Sequence, residues 1–249
     1  MKKLIAALAC RNNGSRLYAK PLQNLDINEG VKIIDNIVAC LQSFEEISDV
    51  VLGISEGAEN HNFIDYAKTN NLAFVIGDEK DVLSRLIQCG EHAGATDIFR
   101  VSSESPFAYH NLFKDAWDRH IKNESDATFL DEIVDGCGFE IINLQALKTS
   151  HTKGEDKHRS ELCTLYVREN KDAFKIDYLV PPEFLKRKDL RLTVDYPEDL
   201  IVCRAVYEEF KQQVPRIELA EVVEFLDNNP DLKKLTAPFC EVGYSTMYL

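Results

Sequence analysis

The 249-residue sequence is 45% hydrophobic and 29% charged, a globular composition that excludes a disordered chain. Its 29 basic and 42 acidic side chains give a formal net charge of −13, which argues against broad, non-specific binding to nucleic acid or to an anionic membrane. The charge is uneven, because residues 1–25 contain no acidic side chain and five basic ones: Lys2, Lys3, Arg11, Arg16 and Lys20.

The first predicted element is a buried strand over residues 3–10. The apolar run of seven residues, Leu4–Cys10, is followed directly by Arg11, whereas a membrane helix needs about 20 apolar residues. No signal-peptide pattern follows. The seven cysteines are widely spaced, without C-x-x-C or zinc-site spacing. These features predict a soluble cytoplasmic protein with reduced, buried thiols.

Strands and helices then alternate. Further strands are predicted over 49–55, 72–77 and 97–101, and helices over 31–44, 60–69, 80–92 and 111–121. This alternation predicts an α/β fold with a mainly parallel sheet that is covered by helices on both faces.

The pattern after residue 126 is less regular. Strands are predicted over 127–130, 138–142 and 190–194, an extended segment over 174–179, and helices over 158–169, from Pro197 onwards, and over 219–226 as the last helix. Residues 150–158 are the best candidate for a mobile loop, and no linker is visible. We therefore expect one domain over residues 1–249.

Residues 10–22 (CRNNGSRLYAKPL) follow the first strand. Ligands of parallel sheets bind beyond the carboxyl ends of strands, and Arg11, Arg16 and Lys20 surround Gly14 and Ser15 in a manner that suits a polyphosphate. The loop is neither a Walker A motif nor G-x-G-x-x-G. A solvated basic loop is the alternative.

This stretch resembles the signature A-R-x-x-S-x-R-L-x-x-K-x-L of the cytidylyltransferases that make CMP-activated sugars. These are the acylneuraminate and 3-deoxy-manno-octulosonate enzymes, and especially the spore-coat polysaccharide (SpsF-like) branch. Cys10 replaces the usual Ala, Tyr18 and Ala19 replace Pro-Gly, and Gly14 stands where the family has Ser.

Three further stretches follow in the family's order. Residues 77–85 (GDEKDVLSR) are similar to G-x-x-x-D-V-L-x-R, residues 99–106 (FRVSSESP) to R-(L/V)-x-x-D-x-P, and residues 192–200 (LTVDYPEDL) to L-T-V-D-x-P-E-D-L. Residues 158–161 (HRSE) resemble a less regular segment near the acceptor site. Together these stretches extend the resemblance over residues 3–210.

The resemblance implies a Rossmann-like nucleotide-diphospho-sugar transferase (GT-A-like) fold. It also implies Mg²⁺-dependent transfer of CMP from CTP, with release of pyrophosphate, by a homodimer in a surface-polysaccharide pathway. The implied acceptor is an anionic sugar such as a nonulosonic or ulosonic acid, and another phosphate- or carboxylate-bearing metabolite stays open. The implied catalytic cations are Arg11, Arg16 and Lys20. The implied nucleotide-binding residues are Ala9, Cys10, Asn13, Gly14, Ser15, Asp81, Arg85 and Ser103. The implied acceptor-binding residues are His158, Arg159 and Glu161, and the implied Mg²⁺ ligands are Glu104 and Asp195.

Several of these residues have a simpler interpretation. Glu104 stands where the family has Asp, and it could be an exposed loop acid. Asp195 could cap the helix that begins at Pro197, and Asp81 could be a favourable acid at a helix N-terminus, with Arg85 its i,i+4 partner or a surface residue. Basic residues that could meet an anionic acceptor are Lys153, Lys157, Arg159 and residues 186–188.

Two other functions stay open. A glycosyltransferase that uses a nucleotide-sugar would share such a fold, but its Asp-x-Asp metal motif is replaced here by Ser102, Ser103 and Glu104. A nucleotide-binding homologue without activity is the other alternative, and the Asp-to-Glu change at residue 104 is its main support.

Overall fold

The computed structural model describes residues 2–14 and 16–245, with no account of the side chains of residues 244 and 245. In this part of the chain the strands are β1 (Leu4–Cys10), β2 (Asn24–Asp26), β3 (Val31–Lys32), β4 (Ile47–Ser55), β5 (Ala73–Gly77), β6 (Asp97–Arg100), β7 (Ala127–Leu130), β8 (Phe139–Asn143) and β9 (Ile176–Tyr178). The helices are α1 (Ile33–Gln42), α2 (His61–Thr69), α3 (Val82–His92), α4 (Phe113–Lys122), α5 (Leu144–Lys153), α6 (Leu165–Glu169), α7 (Pro197–Phe210), α8 (Leu219–Asn228) and α9 (Pro230–Ser245).

Seven strands form the main sheet, in the order β5-β4-β1-β6-β8-β7-β9. Strand β8 is antiparallel to both β6 and β7, and the other neighbouring pairs are parallel. Strands β2 and β3 form a separate antiparallel pair. The carboxyl ends of β1, β4 and β6 therefore lie at one edge, where loops from each can meet.

Strand β1 shows why helices cover both faces. Its side chains alternate between two apolar clusters: Leu4, Ala6 and Leu8 pack with α1, α4 and α7, whereas Ile5 and Ala7 pack with α3 and α5. A strand that is buried on both faces has a continuous apolar run as its sequence, because side chains of both orientations face a core. The predicted α/β class, with a mainly parallel sheet and two covered faces, is confirmed.

The predicted elements up to residue 143 are present, with ends that agree within two residues. The seven cysteines are buried and free, as predicted. Within the described ranges, the structure has no helix that is both long enough and apolar enough to span a bilayer.

The expected mobile loop at 150–158 is wrong for its first part, because α5 extends through Lys153. The Asn143 side chain caps this helix by accepting from the backbone N–H of Gln145 at 2.9 Å, and Leu144, Leu147 and Ser150 are buried on one face. The helix expected over 158–169 is reduced to α6, because a short 3₁₀ turn over Asp156–Arg159 precedes it.

The expected strand over 190–194 is also wrong. Its one ladder contact is an isolated bridge between Asp135 and Arg191. The N–H groups of Leu192 and Val194 donate to the carbonyls of Asp135 and Glu104, at 2.8 and 3.0 Å. The segment thus joins two loops instead of extending the sheet.

The helix over 219–226 is not the last one. Helix α9 follows, with Pro230 in its first turn and Pro238 in its interior. An interior proline normally argues against a helix because it removes a hydrogen bond, which explains why the sequence pattern does not predict α9.

Candidate functional site

The basic loop after β1 is tightly closed. The N–H of Ala19 donates to the carbonyl of Asn12 at 2.9 Å, and Ala19 has φ 51°, in the left-handed region. The resembling family has glycine at this position, which suits that conformation. A Cβ on Gly14 would collide with the carbonyl of Leu17, so the turn needs glycine there. Ser15 lies outside the described residues.

Asp195 is the centre of the loop's electrostatics. One of its oxygens, Oδ1, lies 2.6 Å from Lys20 Nζ and 3.1 Å from a terminal nitrogen of Arg16, and the other oxygen, Oδ2, accepts from Arg191. Burial opposes the charge of this carboxylate, but Lys20, Arg191 and Arg16 together lower the pKa of Asp195. The carboxylate is 18% exposed and faces a cavity.

Arg191 is buried and pairs with three carboxylates. Besides Asp195 it contacts Asp135 at 2.5 Å and Asp199 at 3.1 Å. Asp199 also accepts from the N–H groups of Asp195 and Tyr196, both at 2.9 Å. The capping of α7 that was considered for Asp195 is therefore supplied by Asp199. Burial raises the pKa of Asp135 to about 6, against the opposing effect of Arg191.

The two predicted metal ligands belong to loops that are hydrogen-bonded to each other. Glu104 follows β6, and its carbonyl accepts from the N–H of Val194, next to Asp195. Ser103 donates to the carbonyl of Ala9 at 2.7 Å, and its hydroxyl also lies 3.2 Å from a Glu104 carboxylate oxygen. Two carboxylates that face one cavity fit Mg²⁺, which prefers oxygen ligands and is commonly held by one or two carboxylates plus substrate phosphates.

An aromatic pair borders the loop on the other side. Arg16 donates to the Tyr196 hydroxyl at 3.2 Å, and its guanidinium carbon lies 4.8 Å from the centre of that ring. Tyr196 in turn stacks on Phe239 of α9, with ring centroids 3.9 Å apart. The hydrogen bond that Arg16 donates to Tyr196 raises the pKa of Arg16, although burial opposes it.

These groups line a cavity of about 680 Å³ and a smaller one of about 90 Å³ that shares Arg11, Glu104 and Glu161 with it. Most of the predicted site residues line one cavity or both: Ala9, Arg11, Asn13, Gly14, Arg16, Lys20, Arg85, Ser103, Glu104, Glu161 and Asp195. The structure therefore brings the loop, the two carboxylates and part of the acceptor segment together.

A second charged cluster forms the wall beyond β6 and β8. Arg100 contacts Glu140 at 2.6 Å, and Arg168 contacts the same carboxylate at 2.9 Å and Asp131 at 2.7 Å. Thr164 also donates to Glu140, at 2.6 Å. Arg100, Asp131 and Glu140 line the large cavity, so this wall offers polar contacts to whatever enters it.

Four predicted site residues lie elsewhere. Cys10 is buried in the core, and Asp81 caps α3 through the N–H of Ser84 at 2.8 Å and contacts His151 at 2.8 Å. His158 is buried against Glu169, at 2.8 Å, and Arg159 reaches the carbonyl of His151 at 3.5 Å. None of the four lines the two cavities in the described part of the chain.

Arg85 is neither a surface residue nor an ion-pair partner of Asp81. It is 1% exposed, and it donates to the carbonyls of Cys10 and Gly53, both at 3.2 Å. Burial lowers the pKa of Arg85. Its guanidinium therefore fixes the ends of β1 and β4 under the smaller cavity.

The basic side chains that were expected near the acceptor pair with acids outside the cavity. Lys157 contacts Glu169 at 2.8 Å, Lys186 contacts Glu183 at 2.8 Å, and Arg187 contacts Asp189 and Asp227, both at 2.7 Å. Lys153 and Lys188 do not line the two cavities either, within the described residues. An anionic acceptor would have to meet other cations.

The sequence was compared with protein families and with curated proteins. No protein-family model matches the chain. An uncharacterized protein of Methanocaldococcus jannaschii is 25% identical over 242 residues, covering 97% of this chain and 98% of that protein. The spore coat polysaccharide biosynthesis protein SpsF of Bacillus subtilis is 23% identical over 233 residues, covering 93% and 97%.

Solved structures agree in fold. A cytidylyltransferase from Leptospira borgpetersenii superposes with a TM-score of 0.83 at 19% identity, over 93% of this chain and 97% of that one. A CMP:2-keto-3-deoxy-manno-octonic acid synthetase, solved with CTP, gives 0.64 at 12% identity, over 84% and 99%. This chain has the cytidylyltransferase fold. The resemblance to the CMP-sugar enzymes, on the side of the SpsF-like branch, is confirmed.

Some residues that line or border the large cavity were not predicted from the sequence to belong to the site. Arg100 and Arg191 stand inside or beside the recognised motifs, and an arginine within a mainly apolar stretch was the available signal. Asp135 lies in the connection between β7 and β8, Glu140 lies in β8, and Phe239 lies on the unpredicted α9. Only the tertiary arrangement brings these three to the cavity.

Proposed function

We propose that this protein is a cytidylyltransferase that transfers CMP from CTP to an anionic, sugar-like acceptor, with Mg²⁺ and with release of pyrophosphate. One observation carries the proposal: the cations of the loop after β1 and the carboxylates of Glu104 and Asp195 line the same connected cavities. The similarity to SpsF and to solved cytidylyltransferases supports it.

The loop residues would bind the triphosphate. Arg16 and Lys20 lie side by side at Asp195 Oδ1, and Arg11 borders both cavities. Their positive charges would stabilise the charge that develops on the leaving pyrophosphate. An acceptor oxygen attacks the α-phosphorus in line, and no protein nucleophile is required, because positioning and charge stabilisation supply most of the catalysis.

Glu104 and Asp195 would hold the Mg²⁺. The ion, when bound, would polarise the α-phosphate. In the described residues no group of three or more metal-binding side chains converges, so phosphate oxygens and waters would complete the coordination. Glu104 is one methylene longer than the Asp that the family has at this position.

The acceptor would occupy the large cavity between the loop and the Arg100–Glu140 wall. Arg100 is the cation of this wall that also reaches the backbone of the acceptor segment, through the carbonyl of Glu161 at 2.7 Å. It is our candidate for contact with an acidic group of the acceptor. A homodimer, a cytoplasmic location and a role in surface polysaccharide synthesis complete the proposal, the last from the likeness to SpsF.

The test is pyrophosphate release with CTP, UTP, GTP or ATP, in the presence of Mg²⁺ and a panel of acidic sugars. We expect CTP to be preferred. Lys20→Ala and Asp195→Ala should each lower turnover by about 100-fold or more, the scale of losing one charge-stabilising contact. Lys114→Ala, an exposed residue of α4, is the matched control and should keep full activity.

Nucleotide binding without pyrophosphate release for any acceptor would favour the inactive homologue. Hydrolysis or transfer from a nucleotide-sugar, with no reaction of any triphosphate, would favour the glycosyltransferase. Wild-type turnover in Lys20→Ala or Asp195→Ala would reject the assignment of these residues to the site.

A further inference from the structure

The proposed triphosphate-binding residues and a proposed metal ligand contact each other. Lys20 Nζ and Arg16 both lie within 3.1 Å of the same oxygen, Asp195 Oδ1. Lys20 is 16% exposed and Asp195 is 18% exposed, so water screens this contact less than it screens a surface ion pair. While this contact persists, Lys20 and Arg16 are not free to bind phosphate, and Asp195 Oδ1 is not free to bind a metal ion.

The other oxygen of Asp195 is held from below. Arg191 takes Oδ2, while its remaining nitrogens are held by the buried carboxylates of Asp135 and Asp199. Arg191 therefore acts as a positioning residue, since it fixes the carboxylate with Oδ1 directed at the loop. Oδ1 is the oxygen left for a cation in the cavity, and Lys20 and Arg16 occupy it.

We propose that Lys20 and Arg16 block the metal site at Asp195 until a nucleoside triphosphate draws them away. This inference rests on the proposed function and concerns the regulation of the same site. The two cations have two alternative partners, one carboxylate oxygen or the several anionic oxygens of a triphosphate. When the phosphates bind them, Oδ1 would be free to hold a divalent ion, in the cavity that Glu104 also lines.

The same contact predicts a reciprocal effect on nucleotide binding. Asp195 competes with phosphate for Lys20 and Arg16, so in the absence of metal it weakens the binding of the nucleotide. By thermodynamic linkage, the coupling between metal and triphosphate must be the same whichever binds first. Metal and nucleotide each strengthen the binding of the other, because each removes a competitor.

The first test measures Mn²⁺ binding to the protein without nucleotide, by electron paramagnetic resonance of the free ion. Wild type should bind Mn²⁺ weakly, and Lys20→Ala should bind it about fivefold or more tightly, which corresponds to losing one partly exposed ion pair. Arg16→Ala should show a smaller gain, since Arg16 is 41% exposed, and the double variant a larger one.

Two controls separate the contact from general charge effects. Lys80→Ala removes a cation that lines the same cavity without contacting Asp195, and it should leave Mn²⁺ affinity within about twofold of wild type. Adding Asp195→Asn to Lys20→Ala should abolish the gain. An unchanged Mn²⁺ affinity in both Lys20→Ala and Arg16→Ala, with both variants folded by thermal melting, overturns the proposal.

The second test measures CTP binding by calorimetry in EDTA. Asp195→Asn should bind CTP more tightly than wild type, because the isosteric amide frees the two cations. Equal or weaker CTP binding by Asp195→Asn contradicts the proposal that Asp195 competes with the nucleotide for Lys20 and Arg16. The outcome is separable from the proposed function. A gain in Mn²⁺ affinity in Lys20→Ala, with no turnover of any triphosphate by the wild-type protein, supports the blocked metal site and rejects the enzyme. Turnover by the wild-type protein with no such gain rejects only the blocked metal site.

Discussion

At the scale of single residues, Glu140 holds together the wall of the large cavity. It is 5% exposed, contacts both Arg100 and Arg168, and accepts from Thr164. Burial opposes its charge, but the two arginines and Thr164 outweigh that effect and lower the pKa of Glu140. Two partly buried guanidinium groups thus share this carboxylate.

Glu140→Gln should lower the free energy of unfolding by about 3 kcal/mol, because it breaks two partly buried ion pairs at once. Urea denaturation at pH 7 measures this. The folded pKa of Glu140 lies below its unfolded value near 4.5, so its contribution is complete above that pH and is lost as the pH falls through the folded pKa. The difference between wild type and Glu140→Gln should therefore shrink in acid.

Asp118→Asn is the control, since Asp118 pairs with Lys114 on the exposed face of α4 and its loss should change stability little. If Glu140→Gln were as stable as Asp118→Asn, the wall would not depend on this carboxylate.

The sequence predicts which residues of the loop carry charge, but not which acidic side chains they contact. Arg11, Arg16 and Lys20 reach the cavities as predicted. Their partners Glu161 and Asp195 are 150 to 180 residues away along the chain, and such pairings are fixed by the topology. His158 shows the opposite case: it belongs to a recognised segment, yet it packs against Glu169 and Tyr166.

At the scale of elements, local pattern predicts β1 and β4 to β8 well, because main-sheet strands buried on both faces are uninterrupted apolar runs. The short pair β2 and β3 was not predicted, and residues 31 and 32 of β3 fall inside a predicted helix. The pattern fails where tertiary contacts decide. The segment 190–194 is apolar and extended, but it bonds to the loops at Asp135 and Glu104, and α9 forms although it contains Pro238. Both misread elements border the cavity.

Helix α9 meets the site through Gly243. A Cβ at this position would overlap the guanidinium of Arg191 and come within 2.8 Å of Asp135. Arg191 cannot easily move aside, because three carboxylates hold it. The glycine therefore lets the helix lie directly on the buried ion pairs that position Asp195.

Gly243→Ala should destabilise the protein by about 1 kcal/mol or more. An alanine normally stabilises a helix by about 1 kcal/mol relative to glycine, but overpacking costs about 1–3 kcal/mol, and here the overlapped groups are fixed. Chemical denaturation checks the sign. Glu241→Ala, exposed on the same helix, should stay within about 0.5 kcal/mol of wild type. A more stable Gly243→Ala protein would show that α9 does not rest on Arg191.

At the scale of the whole molecule, the net charge of −13 and the basic loop have opposite effects on an anionic ligand. At 0.1 M salt, charges more than about 10 Å apart are largely screened from each other. The nearby cations should therefore outweigh the distant acids, and the local charge of the first 25 residues describes the binding partner better than the total does.

This argument predicts the sign of a salt effect. CTP affinity in EDTA should fall by about threefold or more between 50 and 300 mM NaCl, because salt screens the attraction to the loop. Calorimetric titration measures it, and Lys20→Ala should show a smaller dependence. If repulsion by the acidic surface prevailed, added salt would instead strengthen binding.

The position of α9 has a practical consequence for handling the protein. Val242 and Gly243, in the last turns of that helix, line the large cavity, whereas the chain enters β1 at the opposite edge of the sheet. A purification tag or an immobilising linker fused after α9 would follow these cavity-lining residues within a few positions along the chain. The same fusion placed ahead of β1 would start at the edge of the sheet opposite the loops that line the cavity, and it is the form of the protein to use in the binding measurements.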